Sequence, residues 1–349
     1  MQLILSLAFF AYPIALLCAI VGRRAGLVDH PDHRKRHLGS VPLTGGIAIV
    51  LSILVGNFLL GFNQFNVGVL TIIAPLFALA VYDDMGHVHA GLRLVLEFGA
   101  GIQLATVGGV AIHNVGNLLG HGDIPLLWLS IPLTALAVAG LTNAYNMIDG
   151  IDGLAASLIA LPLLVLYILA LNAGHPGTDH LLILLVPLGV FLLFNLGPNN
   201  RWLPKVFLGD AGSITLGVCV TATLVYFSQG SNPLIQPVTA LWLVTVPLMD
   251  MLGTMIRRLR AGRSLMDADR DHIHYCLMGM GLNARQTLAL LCVHGWGCAL
   301  TGVLLEAVPA WISLACYFLL FILHCLFVVR SQRIAEWMKA RRSEHNHPA

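Results

Sequence analysis

Charged side chains are scarce: of 349 residues, 19 are Lys or Arg and 17 are Asp or Glu, together 10%, where a soluble domain carries roughly 25%. That deficit, with 57% hydrophobic residues and a mean hydropathy of +0.82, excludes a soluble fold. The formal charge is only +2, with no concentrated basic excess, so no nucleic-acid partner is expected. The seven cysteines include no Cys-x-x-Cys pair, which argues against a disulfide framework or a zinc site. No internal repeat and no low-complexity tract is visible. The first apolar stretch lacks the basic n-region of a signal peptide and is read as a retained span.

What the chain has instead is apolar runs from end to end. They fall at about 2–21, 43–62, 67–82, 94–112, 126–142, 153–172, 181–195, 213–229, 236–256, 287–305 and 308–328, most of them near the ~20 residues that cross a bilayer. The expectation is an all-α polytopic membrane protein of about eleven transmembrane helices, one membrane domain over 1–328 with a basic tail over 329–349. Alternate connections (22–42, 83–93, 143–152, 196–212, 257–286 and the tail) carry all 19 basic residues. The positive-inside rule therefore places that set in the cytoplasm, the N-terminus outside and the C-terminus inside. Most acidic residues share the cytoplasmic set, so chemistry is expected on that face.

Four segments of this face carry candidate chemistry. Asp83 and Asp84 end the third run; adjacent carboxylates repel and call for a cation, although a solvated helix end would look the same. Arg93 follows ten residues after Asp83, either to meet an anion or as an ordinary interfacial anchor. In 143–154, Asn143, Asn146, Asp149 and Asp152 are spaced three apart in the only inner connection without Lys or Arg. Such hard oxygen donors suit Mg²⁺ or substrate hydroxyls, the bland reading being a polar turn between two helices. Phe207-Leu208-Gly209-Asp210-Ala211-Gly212-Ser213 sets a carboxylate between glycines at the start of a run, where a helix N-terminus could receive a phosphate. Capping alone would explain the same residues. The largest inner loop joins a basic stretch, 257–263, to Asp267, Asp269, Arg270, Asp271, His272 and His274. The basic part fits lipid headgroups, and the histidines, without further soft ligands, fit a diphosphate or a sugar better than zinc.

In this order and on one face, Asp83-Asp84, Asn143 to Leu154, Phe207 to Ser213 and Asp269-Arg270-Asp271-His272-Ile273-His274 resemble the polyprenyl-phosphate N-acetylhexosamine-1-phosphate transferase superfamily. Within it they are most similar to the bacterial members that place N-acetylglucosamine-1-phosphate on undecaprenyl phosphate. The resemblance runs from Gly26-Leu27-Val28-Asp29 and Arg34-Lys35-Arg36-His37, through Pro42-Leu43-x-Gly45-Gly46, to about residue 286. Each motif alone is modest, and together they are specific. One departure stands out: the family's His-Ile-His-His motif ends here in Tyr275, which cannot become cationic near pH 7. The histidine run of the related peptidoglycan translocase is absent, which disfavours UDP-muramoyl-pentapeptide as donor.

The resemblance implies attack of undecaprenyl phosphate on the β-phosphorus of a UDP-N-acetylhexosamine, foremost UDP-GlcNAc, releasing UMP. It implies Mg²⁺, with Mn²⁺ as a substitute, held by Asp210 and Asn146. Asp83, Asp84 and Asp149 would be the catalytic carboxylates. His37, Arg93, Asn143, Asp152, Arg270, His272 and His274 would bind the donor or the lipid phosphate. The acceptor phosphate is mostly dianionic at pH 7, which favours direct attack, with an acyl-phosphate on Asp left open. A bacterial inner-membrane location facing the cytoplasm, membrane lipids as surroundings, and room for a homodimer complete the expectation. The competing class is a transporter, marked by the intramembrane carboxylates Glu97 and Asp250; it would require midplane charges and repeated halves, which the sequence does not show.

Overall fold

The computed structural model describes residues 1–30, 39–61, 64–86, 88–230, 232–264 and 272–346, of which 64–67 and 332–346 are described as helix only. The chain is helical almost throughout: α1 (Gln2–Ala25), α2 (Gly45–Leu60), α3 (Gln64–Met85), α4 (Ala90–Thr106), α5 (Ser130–Ile148), α6 (Leu154–Ala173) and α7 (Thr178–Leu196) come first. They are followed by α8 (Gly209–Ser228), α9 (Pro237–Leu243), α10 (Thr245–Arg260), α11 (Ile273–Gly279), α12 (Ala284–Leu304) and α13 (Ala310–Asn346). Two short strands, β1 (Val28–Asp29) and β2 (Val41–Pro42), pair antiparallel across the first inner connection.

Among the described residues, eight helices are long and apolar enough to cross a membrane, and nine if the bent pair α9 and α10 is one span. The other two expected runs are also helical. The apolar α2 has only 16 residues, about 24 Å at 1.5 Å per residue against a ~30 Å hydrocarbon core. The 17-residue α4 carries Arg93 and Glu97 in its first two turns.

Three boundaries differ from the expectation, each for a local reason. The third run continues as helix through Met85, so Asp83 and Asp84 are helical. The ninth run is broken by 80° at Val244. Pro247 lacks the N–H that would continue the first helix across the break, and the Thr245 hydroxyl donates to the Trp242 carbonyl at 2.8 Å and more distantly to that of Leu241 at 3.2 Å. Helix α13 passes position 328 without interruption, so the tail expected from 329 begins as its continuation.

The helix α8 organises the bundle. Its apolar window is 94% buried, whereas those of α1, α12 and α13 are 22%, 28% and 17% buried. It packs against α2, α3, α5, α6 and α9, while the outer helices leave apolar sides uncovered, as a lipid surround requires. The Pro42-Leu43-x-Gly45-Gly46 motif clamps the segment leading into α8. Gly45 and Gly46 N–H donate to the Phe207 and Leu208 carbonyls at 2.9 Å each, and Phe207 N–H donates to Pro42 at 2.8 Å. That clamp fixes where α8 begins, and so where Asp210 stands.

Candidate active site

Four helix ends meet at the N-terminus of α8. Asp84, on the last turn of α3, accepts the backbone N–H groups of Asp210 at 2.8 Å and Ala211 at 3.1 Å. The approach requires glycine at 209, where φ is +71° and a Cβ would lie 2.7 Å from Asp84 Oδ2. These N–H groups, read from the sequence as a phosphate seat, are therefore already taken by a carboxylate. A helix N-terminus attracts any nearby anion, and Asp84 is the one tethered there.

Asp83 accepts the Val88 N–H at 2.9 Å and the Arg93 Nη1–H at 3.3 Å. The same guanidinium lies 3.7 Å from Asp210 Oδ2 and 3.8 Å from Glu97 Oε1, one turn along α4. The other Glu97 oxygen accepts from the Asn143 amide, which also donates to the Ala139 carbonyl at 2.8 Å. On α5, Asn146 Nδ2 donates to Asp210 Oδ1 at 2.6 Å and to Ser213 Oγ at 3.0 Å. Asp83, Glu97 and Asp210 thus share one guanidinium, with Asp84 bound beside them to the backbone of α8, and among the described residues no other cation pairs with the four. Such an excess of negative charge at a largely buried site is costly until another cation joins it.

Asp149 begins the turn after α5. Its carboxylate accepts no hydrogen bond among the described residues, and burial, then the charges of Asp210, Asp84 and Asp152, push its pKa up to about 7. Asp152 is paired with Lys205, whose ammonium also sits 5.6 Å from the centre of the Phe207 ring. These two aspartates, three residues apart, differ in state: one is compensated by a cation and, among the described residues, the other is not.

The histidine motif joins the site through this turn. His272 Nδ1 lies 2.9 Å from Asp250 Oδ2, and Ile273 N–H donates to Asp250 Oδ1 at 2.6 Å. The His272 and His274 rings stack, with planes 5° apart and centres at 5.9 Å, and His274 meets Tyr275 at 4.1 Å. His274 is fully buried against Gly150, where a Cβ would come within 2.1 Å of its Nε2. Burial lowers its pKa to about 4, so the ring is neutral at pH 7 and holds the Asp149 turn by packing. His37 and Arg270, with Asp267, Asp269 and Asp271, lie outside the described residues.

Of the residues expected at the site, Asp83, Asp84, Arg93, Asn143, Asn146 and Asp210 are in one contact network, with Asp149 facing it. Asp152, His272 and His274 border it through the 149–153 turn. Two partners escape the sequence reading, and the pairing of a third is visible only in the structure. Glu97 reads from the sequence as a transporter signal, although its spacing of four from Arg93 on a helix points to a pair. Lys205 had no signal beyond being a lone base near Phe207. Asp250, expected from its place near the inner end of the ninth run to line the same cavity, proves to be the partner of His272.

Comparison with known proteins places this geometry. The model of glycosyl transferase family 4 matches residues 66–228, from α3 to the end of α8. Curated undecaprenyl-phosphate alpha-N-acetylglucosaminyl 1-phosphate transferases are similar over nearly the whole chain. The Yersinia pestis protein is 32% identical, covering 95% of this chain and 92% of its own. The Escherichia coli strain K12 protein is 32% identical over 96% and 93%, and that of Haemophilus influenzae 34% over 90% of each. The chain belongs to glycosyl transferase family 4. In this family member the matched region supplies every residue of the carboxylate network, whereas Asp250, His272 and His274 lie beyond it.

Proposed function

We propose that the protein transfers N-acetylglucosamine-1-phosphate from UDP-N-acetylglucosamine to undecaprenyl phosphate, giving undecaprenyl-diphospho-N-acetylglucosamine and UMP. The observation that carries this reading is the carboxylate network around Arg93, in a chain similar over almost its full length to transferases named for that product. An oxygen of the lipid phosphate attacks the β-phosphorus, the bond to the UMP oxygen breaks, and UMP leaves with the electron pair. The attacking phosphate is mostly dianionic at pH 7 and needs little help from a base. Asp84, with both oxygens accepting backbone N–H groups, acts by fixing the start of α8. Arg93 is the guanidinium that a phosphate oxygen can share with Asp83 and Asp210.

The donor set fits Mg²⁺: it is all oxygen, anionic and short of cations. No group of three His, Cys, Asp or Glu side chains is gathered as a finished metal centre among the described residues. Asp210 and Asn146 would hold the ion beside Asp149, completing the site with the substrates. When bound, Mg²⁺ offsets the repulsion between the two phosphates. We place the protein in a bacterial inner membrane with eleven spans, the N-terminus outside and the site in the cytoplasm, because every basic residue falls on that side of the chain. Its product would open the assembly of a cell-surface polysaccharide of the O-antigen or common-antigen type.

A second reading, the same chemistry with another UDP-N-acetylhexosamine, is favoured by Tyr275 packing on His274 at the edge of the site. The transporter reading loses its support, since Glu97 and Asp250 are both engaged in local pairs. Purified protein given undecaprenyl phosphate, Mg²⁺ and a panel of UDP-sugars should release UMP, fastest from UDP-N-acetylglucosamine. Fastest release from another UDP-sugar replaces the donor, and none from any overturns the reading.

A further inference from the structure

Asp250 is 1% exposed on α10 and has both carboxylate oxygens engaged. One accepts the Ile273 backbone N–H at the start of α11, and the other faces His272 Nδ1. A buried carboxylate is expensive, and a bond to a backbone N–H alone could be made by a neutral side chain. The second contact needs the charge. An ionised carboxylate only accepts, so the facing imidazole nitrogen must carry the hydrogen. His272 is then held with Nδ1 protonated, leaving Nε2 as the nitrogen with a free lone pair, or as a second N–H when the ring is cationic.

The contact also ties α10 directly to the start of α11. Asp250 precedes the 265–271 segment and His272 is the first described residue after it. From His272 the order passes by ring stacking to His274, and from His274 by packing to Gly150, beside Asp149. A single buried carboxylate therefore fixes the position of a stack that ends on the turn carrying Asp149.

We infer that Asp250 is the positioning residue of the histidine motif, holding His272 in one tautomer and one place so that its Nε2 serves the nucleotide-sugar donor. This rests on the transferase reading above. It concerns a residue that touches neither phosphate and acts through His272.

The test is a double-mutant cycle on the full-length protein, read as kcat and KM for UDP-N-acetylglucosamine with melting temperature measured in parallel. Asp250→Asn keeps the shape and can still accept from Ile273, but presents an amide N–H to His272 and so reverses the tautomer. It should lower kcat/KM about 10- to 100-fold, and His272→Gln should lower it similarly. The Asp250→Asn/His272→Gln variant should be no worse than His272→Gln alone. Histidine ¹⁵N spectra, with the His272 signal identified by its loss in His272→Gln, should show hydrogen on Nδ1 in the wild type and on Nε2 in Asp250→Asn. Losses that multiply in the double variant mean that Asp250 acts independently of His272, and the inference falls. It falls equally if Asp250→Asn or His272→Gln is as active as a functioning wild type, or if wild-type His272 carries its hydrogen on Nε2. A wild type that releases no UMP overturns the transferase reading itself, a result no variant is needed to recognise.

Discussion

The two ends of α8 are built to opposite rules. At its start, Asp83, Glu97 and Asp210 surround one guanidinium, and Asp84 accepts the first backbone N–H groups of the helix. About 28 Å away, taking 1.5 Å per residue, the other end is neutral and satisfied. Gln229 Oε1 accepts the His113 and Asn114 N–H groups at 2.9 and 3.1 Å, and its amide donates back to the Asn114 carbonyl at 3.2 Å. Nearby, a cavity of about 240 Å³ is lined mainly by apolar groups such as Ile53, Ile73, Ala222 and Phe227. Polar side chains at the far end complete one another and hold the fold. Those at the near end are left one or more cations short, and a protein keeps such an imbalance where a ligand will correct it.

If the imbalance is functional, removing one negative charge should destroy activity without loosening the fold. Asp210→Asn is expected to lower turnover by at least about 100-fold, while its melting temperature does not fall, since carboxylate repulsion is relieved. Near-normal turnover at saturating Mg²⁺ would break the assignment. Removing the single cation should come next: Arg93→Ala should cost about 10- to 150-fold in kcat/KM, the worth of a buried charge-assisted contact of roughly 1.5–3 kcal/mol. Arg93→Lys should recover part of it. Equal loss in Arg93→Ala and Arg330→Ala, on the last helix, would reduce Arg93 to a topological anchor.

A smaller effect sharpens the comparison through pH. Asp149 is held up at about 7 by burial and neighbouring carboxylates, so below that pH it is mostly protonated and a cation must displace the proton. The Mg²⁺ concentration for half activation should therefore fall as pH rises from 6 to 8, by up to about tenfold per unit below pH 7, and level off above. The same sign applies to folding: the native state holds a proton that the unfolded chain, with an ordinary aspartate, releases near pH 4. This group's contribution to stability thus declines as pH rises from about 4 through 7. Asp149→Asn should flatten the Mg²⁺ dependence on pH, and an unchanged slope would remove Asp149 from the cation's surroundings. The smallest effect on activity is expected at the far end, where Gln229→Ala should leave turnover within about twofold and lower the melting temperature by a few degrees. A large loss of activity there would join the two ends that the structure keeps apart.

The sequence showed more of the near end than of the far one. Apolar length located the helices, and basic residues confined to alternate connections pointed to one face. The oxygen-rich motifs named Asp83, Asp84, Asn146 and Asp210 because such residues are costly beside a membrane without a purpose. It could not show who pairs with whom. Whether the N–H groups at the start of α8 were free depended on Asp84, 126 residues earlier. The pairing of Asp250 with His272 depended on a bend at Val244 and on α11, a seven-residue helix with no apolar period to announce it. At the far end Gln229 gave no signal, since a neutral amide is remarkable only once its partners from 113 and 114 are beside it.

The account stands most directly on UMP release from UDP-N-acetylglucosamine by the purified protein with undecaprenyl phosphate, measured after EDTA and again after adding back Mg²⁺. It expects background release in EDTA and restored release with Mg²⁺, because the carboxylates at the start of α8 carry more negative charge than the one guanidinium paired with them offsets. Undiminished release in EDTA would contradict it.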